Sequence, residues 1–156
     1  AMDGALLMLL FGIGTVPALV LVRLGGSTLS AAWRAKLRRL SPIMVGAMGK
    51  IFFNRIVGPK VLKIGGDEAI ALAAETKEVP PILDYIERII PASGWFVEDR
   101  LTLADIAIAS PFVNMMHLGL LPKADKHPKL VTFIEKMHAR PSFAGWIEGE
   151  KRFFAR

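Results

Sequence analysis

At 156 residues the chain has room for one ordinary domain, or for a domain of about 100 residues with an appendage. It is 53% hydrophobic with a formal charge of +6, more apolar than the usual soluble level of about 45–50%. The absence of cysteine excludes a disulfide scaffold, thiolate metal sites and a cysteine nucleophile.

Taken from the N-terminus, Gly4 to Val22 reads GALLMLLFGIGTVPALVLV, nineteen residues without a charge. As a helix this run would span about 30 Å, enough to cross a bilayer. Gly12, Gly14 and Pro17 would weaken a water-exposed helix but are common in transmembrane ones. A signal peptide fits poorly, because Asp3 stands where a basic n-region belongs and no small-residue cleavage site follows. Next comes a basic cluster of Arg23, Arg34, Lys36, Arg38 and Arg39, then a second apolar run from Pro42 to Gly49. By the positive-inside rule the 23–39 segment is cytoplasmic and the second run starts back across. No base-stacking aromatics accompany the cluster, so no nucleic-acid partner is assigned.

The first apolar run, the basic linker and RRLSPIMVGAMG together resemble part of a bacterial membrane-protein family related to sulfite exporters and cytochrome c biogenesis transporters. The resemblance, carried most specifically by FGIGTVPAL, implies an apolar helical hairpin over residues 1–49 with a membrane contact through residues 4–22. It brings no recognised transport residue with it. The other reading of residues 5–22 is a helix buried in a soluble protein.

Beyond Lys50 the punctuation becomes that of a soluble helical protein, so a boundary is placed between 1–49 and 50–156. Ile51 to Leu62 reads as an apolar helix interrupted near Gly58-Pro59 and ended by Gly65-Gly66. Asp67 starts a long run that Pro80-Pro81 should kink or divide, after which Ile82, Leu83, Ile86, Ile89 and Ile90 make one apolar face. The clearest local signal is Leu101-Thr102-Leu103-Ala104-Asp105-Ile106. With Thr102 as N-cap, its hydroxyl can accept the backbone N–H of Asp105 while the Asp105 carboxylate reaches back to the Thr102 N–H, and Leu101 and Ile106 occupy the staple positions. Ile106, Ala109, Phe112, Val113 and Met116 then recur at helical spacing and predict the central core helix. His117, His127 and His138 fall on different predicted elements without a partner ligand at i+4, so no metal site is assigned.

WFVEDRLTLADIAIASPFVNMMHLGLLP followed by HPKLVTFIEKMHARPSFAGWI is similar to the closing helices of the glutathione transferase superfamily, and the similarity extends back through FFNRIVGPKVLKIGGDEAIALAAETKEVPPILDYIE. The resemblance implies an all-α helical bundle in which Thr-Leu-Ala-Asp starts the buried sixth helix. It also implies that Phe52, Phe53 and Val57 belong to the wall of a hydrophobic substrate pocket, though core or docking surface is the plainer reading of those three. Asn54 and Arg55 are placed as caps or solvated groups rather than ligand contacts. In that family glutathione is held by a thioredoxin-like half that supplies the thiolate-stabilising residue, and no strand pattern of that kind precedes Lys50. The expectation is therefore a non-catalytic binding or dimerisation module with no catalytic residue and no cofactor bound alone. Glutathione enters only with a thioredoxin-fold partner. The alternatives are a membrane-anchored protein with a cytosolic helical domain, and a transferase completed by a partner chain. Localisation follows as cytoplasmic, or inner-membrane associated through residues 4–22.

Overall fold

The computed structural model describes residues 31–97 and 99–154, with side chains from residue 39 onward. The apolar run 4–22 and the first arm of the expected hairpin lie outside the described residues. The elements are α1 (Ala31–Phe52), a π-helical segment π1 (Phe53–Leu62), α2 (Glu68–Ala73), a second π-helical segment π2 (Ala74–Glu78), α3 (Val79–Ile89), α4 (Leu103–His117), α5 (Pro128–His138) and α6 (Pro141–Phe154). Among the described residues there is no strand, only an isolated bridge between Val97 and Arg100. The chain is the expected all-α bundle.

Its first helix differs from the sequence reading. Arg34, Lys36, Arg38 and Arg39 lie inside α1 rather than in a linker, and α1 runs on past Lys50 into π1. Between Ala31 and Leu40 there is no glycine or proline, and Ala, Arg, Lys and Leu all favour helix. The expected interruption at Gly58-Pro59 is a widening instead. Pro59 lacks an N–H and its ring would strike the carbonyl four residues back, which an i→i+5 turn avoids. The same device accommodates Pro80-Pro81, which stand at the start of α3 directly after π2. The run is divided there, by a change of pitch and not a break.

Leu62 to Asp67 is a tight reversal. Lys63 takes the left-handed conformation at φ 57° and its N–H bonds the Gly58 carbonyl. Gly66 is required by close approach, since a Cβ there would collide with the Asn54 backbone. Asn54 fastens the turn from the other side. Its Nδ2 donates to the Lys50 carbonyl at 2.8 Å, and its Oδ1 accepts from the Asp67 N–H at 2.8 Å.

The core is one cluster to which every element but π1 and α6 contributes, α2 and π2 through Ala71 and Ala74 alone. Leu40, Met44, Ala47, Met48 and Ile51 of α1 belong to it, so the core begins ten residues ahead of residue 50. α1 packs against α4, and α4 against α5. On α3 Ile82 and Ile86 are buried, as is Ile90 at its C-cap, with Leu83 and Ile89 packed at the margin. The buried stripe of α4 is Ala104, Asp105, Ile108, Ala109, Phe112 and Met115, so Ile106, Val113 and Met116 of the predicted face are only half-buried. Nearly every position of this helix is apolar, so spacing alone does not fix its rotation. Asp105 does, because its carboxylate must meet donors inside.

Those donors are the Thr102 N–H at 2.7 Å, the Thr102 hydroxyl at 2.8 Å and the Phe96 N–H at 3.0 Å. The Thr102 hydroxyl in turn accepts from the Ala104 N–H at 3.3 Å, and both halves of the capping box are present. Leu101 and Ile106 pack against the core margin. Removing the Asp105 carboxylate strands two backbone N–H groups at about 1–3 kcal/mol each, while removing the Thr102 cap costs roughly 0.5–2 kcal/mol. Urea unfolding of Asp105→Ala and Thr102→Ala will show the larger loss at Asp105, and equal losses would mean that the Phe96 contact adds nothing.

Candidate functional site

The predicted pocket wall separates on the helix surface. Adjacent helical residues point about 100° apart, and accordingly Phe52 is 5% exposed while Phe53 is 42% exposed. Val57 is half-buried. Phe52 turns inward, where its ring meets that of Phe154 edge-on at 5.8 Å.

One turn beyond Phe52, Ile56 opens onto a cleft of about 340 Å³ whose wall also holds Lys60, Met116, His117, Lys151 and Phe154. Three elements meet here: Ile56 and Lys60 stand four residues apart on π1, Met116 and His117 close α4, and Lys151 and Phe154 lie in the last turn of α6. The local sequence explains their convergence. Gly119, at φ +70°, stops α4 immediately after His117, and its N–H caps the Met116 carbonyl at 3.0 Å.

His117 fixes the back of the cleft. Its side chain is 5% exposed and its Nε2 lies 2.8 Å from the Glu150 carboxylate, which joins α4 to α6. The His117 ring also meets Phe154 edge-on at 5.2 Å. Lys151 donates to Glu148 at 2.8 Å in an exposed i,i+3 pair that holds the Glu148 carboxyl below its ordinary value. The lining residues include no hydroxyl, thiol or carboxylate. Such a wall can hold an apolar molecule and steer charge at its edge, but offers no activated nucleophile.

Asn54 and Arg55, beside this region, are engaged structurally. Arg55 donates to Glu68 and Glu75, each at 2.6 Å, and its hydrogen bonds hold the Glu68 carboxyl below the ordinary range. Lys50 is similarly held by both oxygens of Glu78. The remaining histidines stand apart. His127 Nε2 meets Asp84 at 2.8 Å, and His138 Nε2 faces the Ala109 carbonyl at 3.3 Å. Among the described residues no group of three or more His, Cys, Asp or Glu converges on one point.

Sequence reasoning missed the cleft because its residues are spread over about a hundred positions. Met116 read as core, and His117 as a structural histidine outside any metal site. The available signal was the apolar pattern Phe52–Ile56–Lys60 at intervals of four, one helical face ending in a charge.

Comparison with known families matches two separate stretches of the chain. The model of the glutathione S-transferase C-terminal domain matches residues 66–150, and that of the cytochrome c biogenesis protein transmembrane region matches residues 1–51. No curated protein and no solved structure gives a significant match. Arg39–Leu62 is, by length and composition, apolar enough to cross a membrane. Its inward stripe is nevertheless part of the bundle core.

Burial holds the His138 imidazole below its ordinary value of 6.5, with the Ala109 carbonyl opposing that shift and repulsion from His117 adding to it. The unfolded chain takes up this proton first, so stability is highest above about 6.5 and falls as pH drops through that value toward the depressed folded one. His138→Gln should lack this component. Urea midpoints measured from pH 7.5 to 5 will fall less steeply for the variant than for the parent, and parallel curves would refute the burial effect.

Proposed function

Because the chain belongs to the family of glutathione S-transferase C-terminal domains, we propose that it is a binding module whose π1–α4–α6 cleft takes a small apolar ligand without transforming it. The cleft carries this reading. Three apolar side chains, Ile56, Met116 and Phe154, line a volume at the low end of ordinary ligand sites, about 300–1,000 Å³. Phe52, assigned to a pocket wall by resemblance, supports it from behind through Phe154. Phe53 remains on the outer surface, where it suits docking of another protein surface, either a second copy or a thioredoxin-fold chain. In the proposal the helical domain and the apolar N-terminal segment are distinct units, the first cytoplasmic and the second a membrane contact or a cover for α1.

Catalysis is not part of this reading. The chain has no cysteine, and the cleft lining holds no hydroxyl, thiol or carboxylate to serve as nucleophile or thiolate hydrogen-bond donor. Glutathione would join only through a partner that brings its own binding half. Purified protein mixed with glutathione and an aryl chloride should therefore give conjugation at the uncatalysed rate, and a clear excess would refute the proposal.

Binding has its own test. A neutral polarity-sensitive dye such as Nile red should show blue-shifted emission with the parent protein. Met116→Trp, which fills the cleft from a half-buried position, should abolish most of that shift while thermal unfolding stays cooperative. Unchanged dye binding in a folded Met116→Trp protein would show that the cleft is not the site.

A further inference from the structure

On the side away from the core, α1 leaves an apolar strip uncovered among the described residues. Ile43 is 57% and Val45 52% exposed, Pro42 and Gly46 are exposed beside them, and Gly49 follows one turn on. No polar side chain stands between Pro42 and Gly49. A Cβ on either glycine would meet nothing within 4 Å, so no described contact needs these positions small. Glycine is also the poorest helix former after proline. The pair leaves a shallow trough walled by Ile43 and Val45, on which a second helix can approach closely. Beyond Gly49 the polar groups are already engaged. Lys50 is held by both oxygens of Glu78 at 2.8 and 2.9 Å, and Asn54 spans the Lys50 carbonyl and the Asp67 N–H. The strip therefore asks for an apolar occupant, and a polar one would bury its own groups unsatisfied.

We propose that the strip is covered by the chain's own residues 4–22, folded back as a helix antiparallel to α1. The inference rests on the reading of that segment as a unit distinct from the bundle, and the cleft plays no part in it. Two features of the sequence select this occupant. The run carries no charge over nineteen residues, so it brings nothing that burial would leave unpaired. It is also joined to Ala31, the first residue of α1, by residues 23–30 alone, and connections of about 2–8 residues join antiparallel neighbours in helical bundles. Counting outward from that connection sets residue 22 against 31, residue 7 against 46 and residue 4 against 49. The leucines of LLMLL, residues 6–10, then lie over the glycine trough, and Phe53 falls beyond the cover. A second copy would compete with a tethered segment whose effective concentration is on the order of millimolar. A bilayer would have to take the strip while the opposite side of α1 is locked in the bundle core, and with Arg39 and Lys50 drawn toward hydrocarbon at its two ends.

Because the chain has no cysteine, introduced thiols report without ambiguity. In the full chain, Val45→Cys is combined in turn with cysteine at each of residues 6–10, which together turn through every direction of a helix, and oxidised in detergent-free buffer at increasing dilution. A disulfide needs Cα atoms within about 7 Å. At least one pair should close within a single chain, at monomer mass and independent of dilution, whereas Leu7→Cys with Glu148→Cys on α6 should not. Ile43→Lys, which needs no cysteine, should lower the thermal midpoint by about 4 °C or more, because it sets an ammonium under the cover. Bonds formed only between chains would give the strip to a second copy. Flotation of the parent protein with mixed phosphatidylcholine and phosphatidylglycerol vesicles, lost in Ile43→Lys, would give it to a bilayer. Either result overturns the inference. Closure in no pair, or an unchanged midpoint in Ile43→Lys, would leave the strip facing water and overturn it as well. Nile red binding in the cleft is read separately, so the cleft stands or falls apart from this inference.

Discussion

The Asp105 carboxylate is the constraint on which the remainder of the bundle depends. It is fully buried, yet three donors from two separate stretches of chain meet it within 3.0 Å. A buried carboxylate is tolerated only when its lone pairs are filled, so the 91–101 connection and the first turn of α4 must be placed together. That fixes the rotation of α4, which its almost uniformly apolar sequence leaves open. With α4 oriented, Ile108, Phe112 and Met115 point at the surrounding helices and the core closes. A second tie of the same kind lies at the far side. Glu87 of α3 accepts from the Lys129 and Leu130 N–H groups at 3.1 and 2.8 Å and so caps α5 from another helix.

How much of this was readable in the sequence divides along the range of the interactions. The capping box is local, spans four residues and uses side chains with little other reason to be adjacent, and it can be named without coordinates. The face of α3 is equally plain because Asp84, Glu87 and Arg88 interrupt its isoleucines at helical spacing. The stripe of α4 was misread by a rotation, since the helix offers apolar residues on every side. Glu87 was invisible as a cap, because its partners stand more than forty residues away. The cleft belongs to this last class. Nothing local marks Met116 as a wall residue until π1 and α6 are brought beside it.

The prolines show a different limit. Pro59 and Pro80 were legible as faults in a helix, and the fault is real in both places, but the sequence does not state how a fault is repaired. A break exposes carbonyls that must find water or side-chain donors. A wider turn keeps most of them bonded internally, and this is the solution at π1 and π2. The choice has a functional consequence at π1. Because the chain continues as one rod through Pro59, Lys60 remains on the same face as Ile56, and its ammonium group joins that of Lys151 at the edge of the cleft.

The two family matches end at residue 51 and begin at residue 66, yet the packing recognises no seam between them. α1 is shared. Leu40, Met44, Ala47 and Met48 fall inside the membrane-type match, and all four are within the core of the helical domain. A helix of membrane-type composition can serve in this way because the demand on its inner face is the same in both solvents: apolar side chains of suitable volume at intervals of three and four. The outer face is apolar as well. Ile43 and Val45 are more than half exposed and Gly46 has open space above it, a surface ordinarily avoided in water when it is contiguous. The polar clamps Lys50–Glu78, Asn54–Asp67 and Arg55–Glu68–Glu75 begin where that surface ends. The continuous rod of α1 and π1 therefore changes character along its length: basic through Arg39, apolar on both faces from Pro42 to Gly49, and clamped by polar side chains on its outer face from Lys50 onward. The change falls within an unbroken helix, so the shift in composition leaves no gap in the packing.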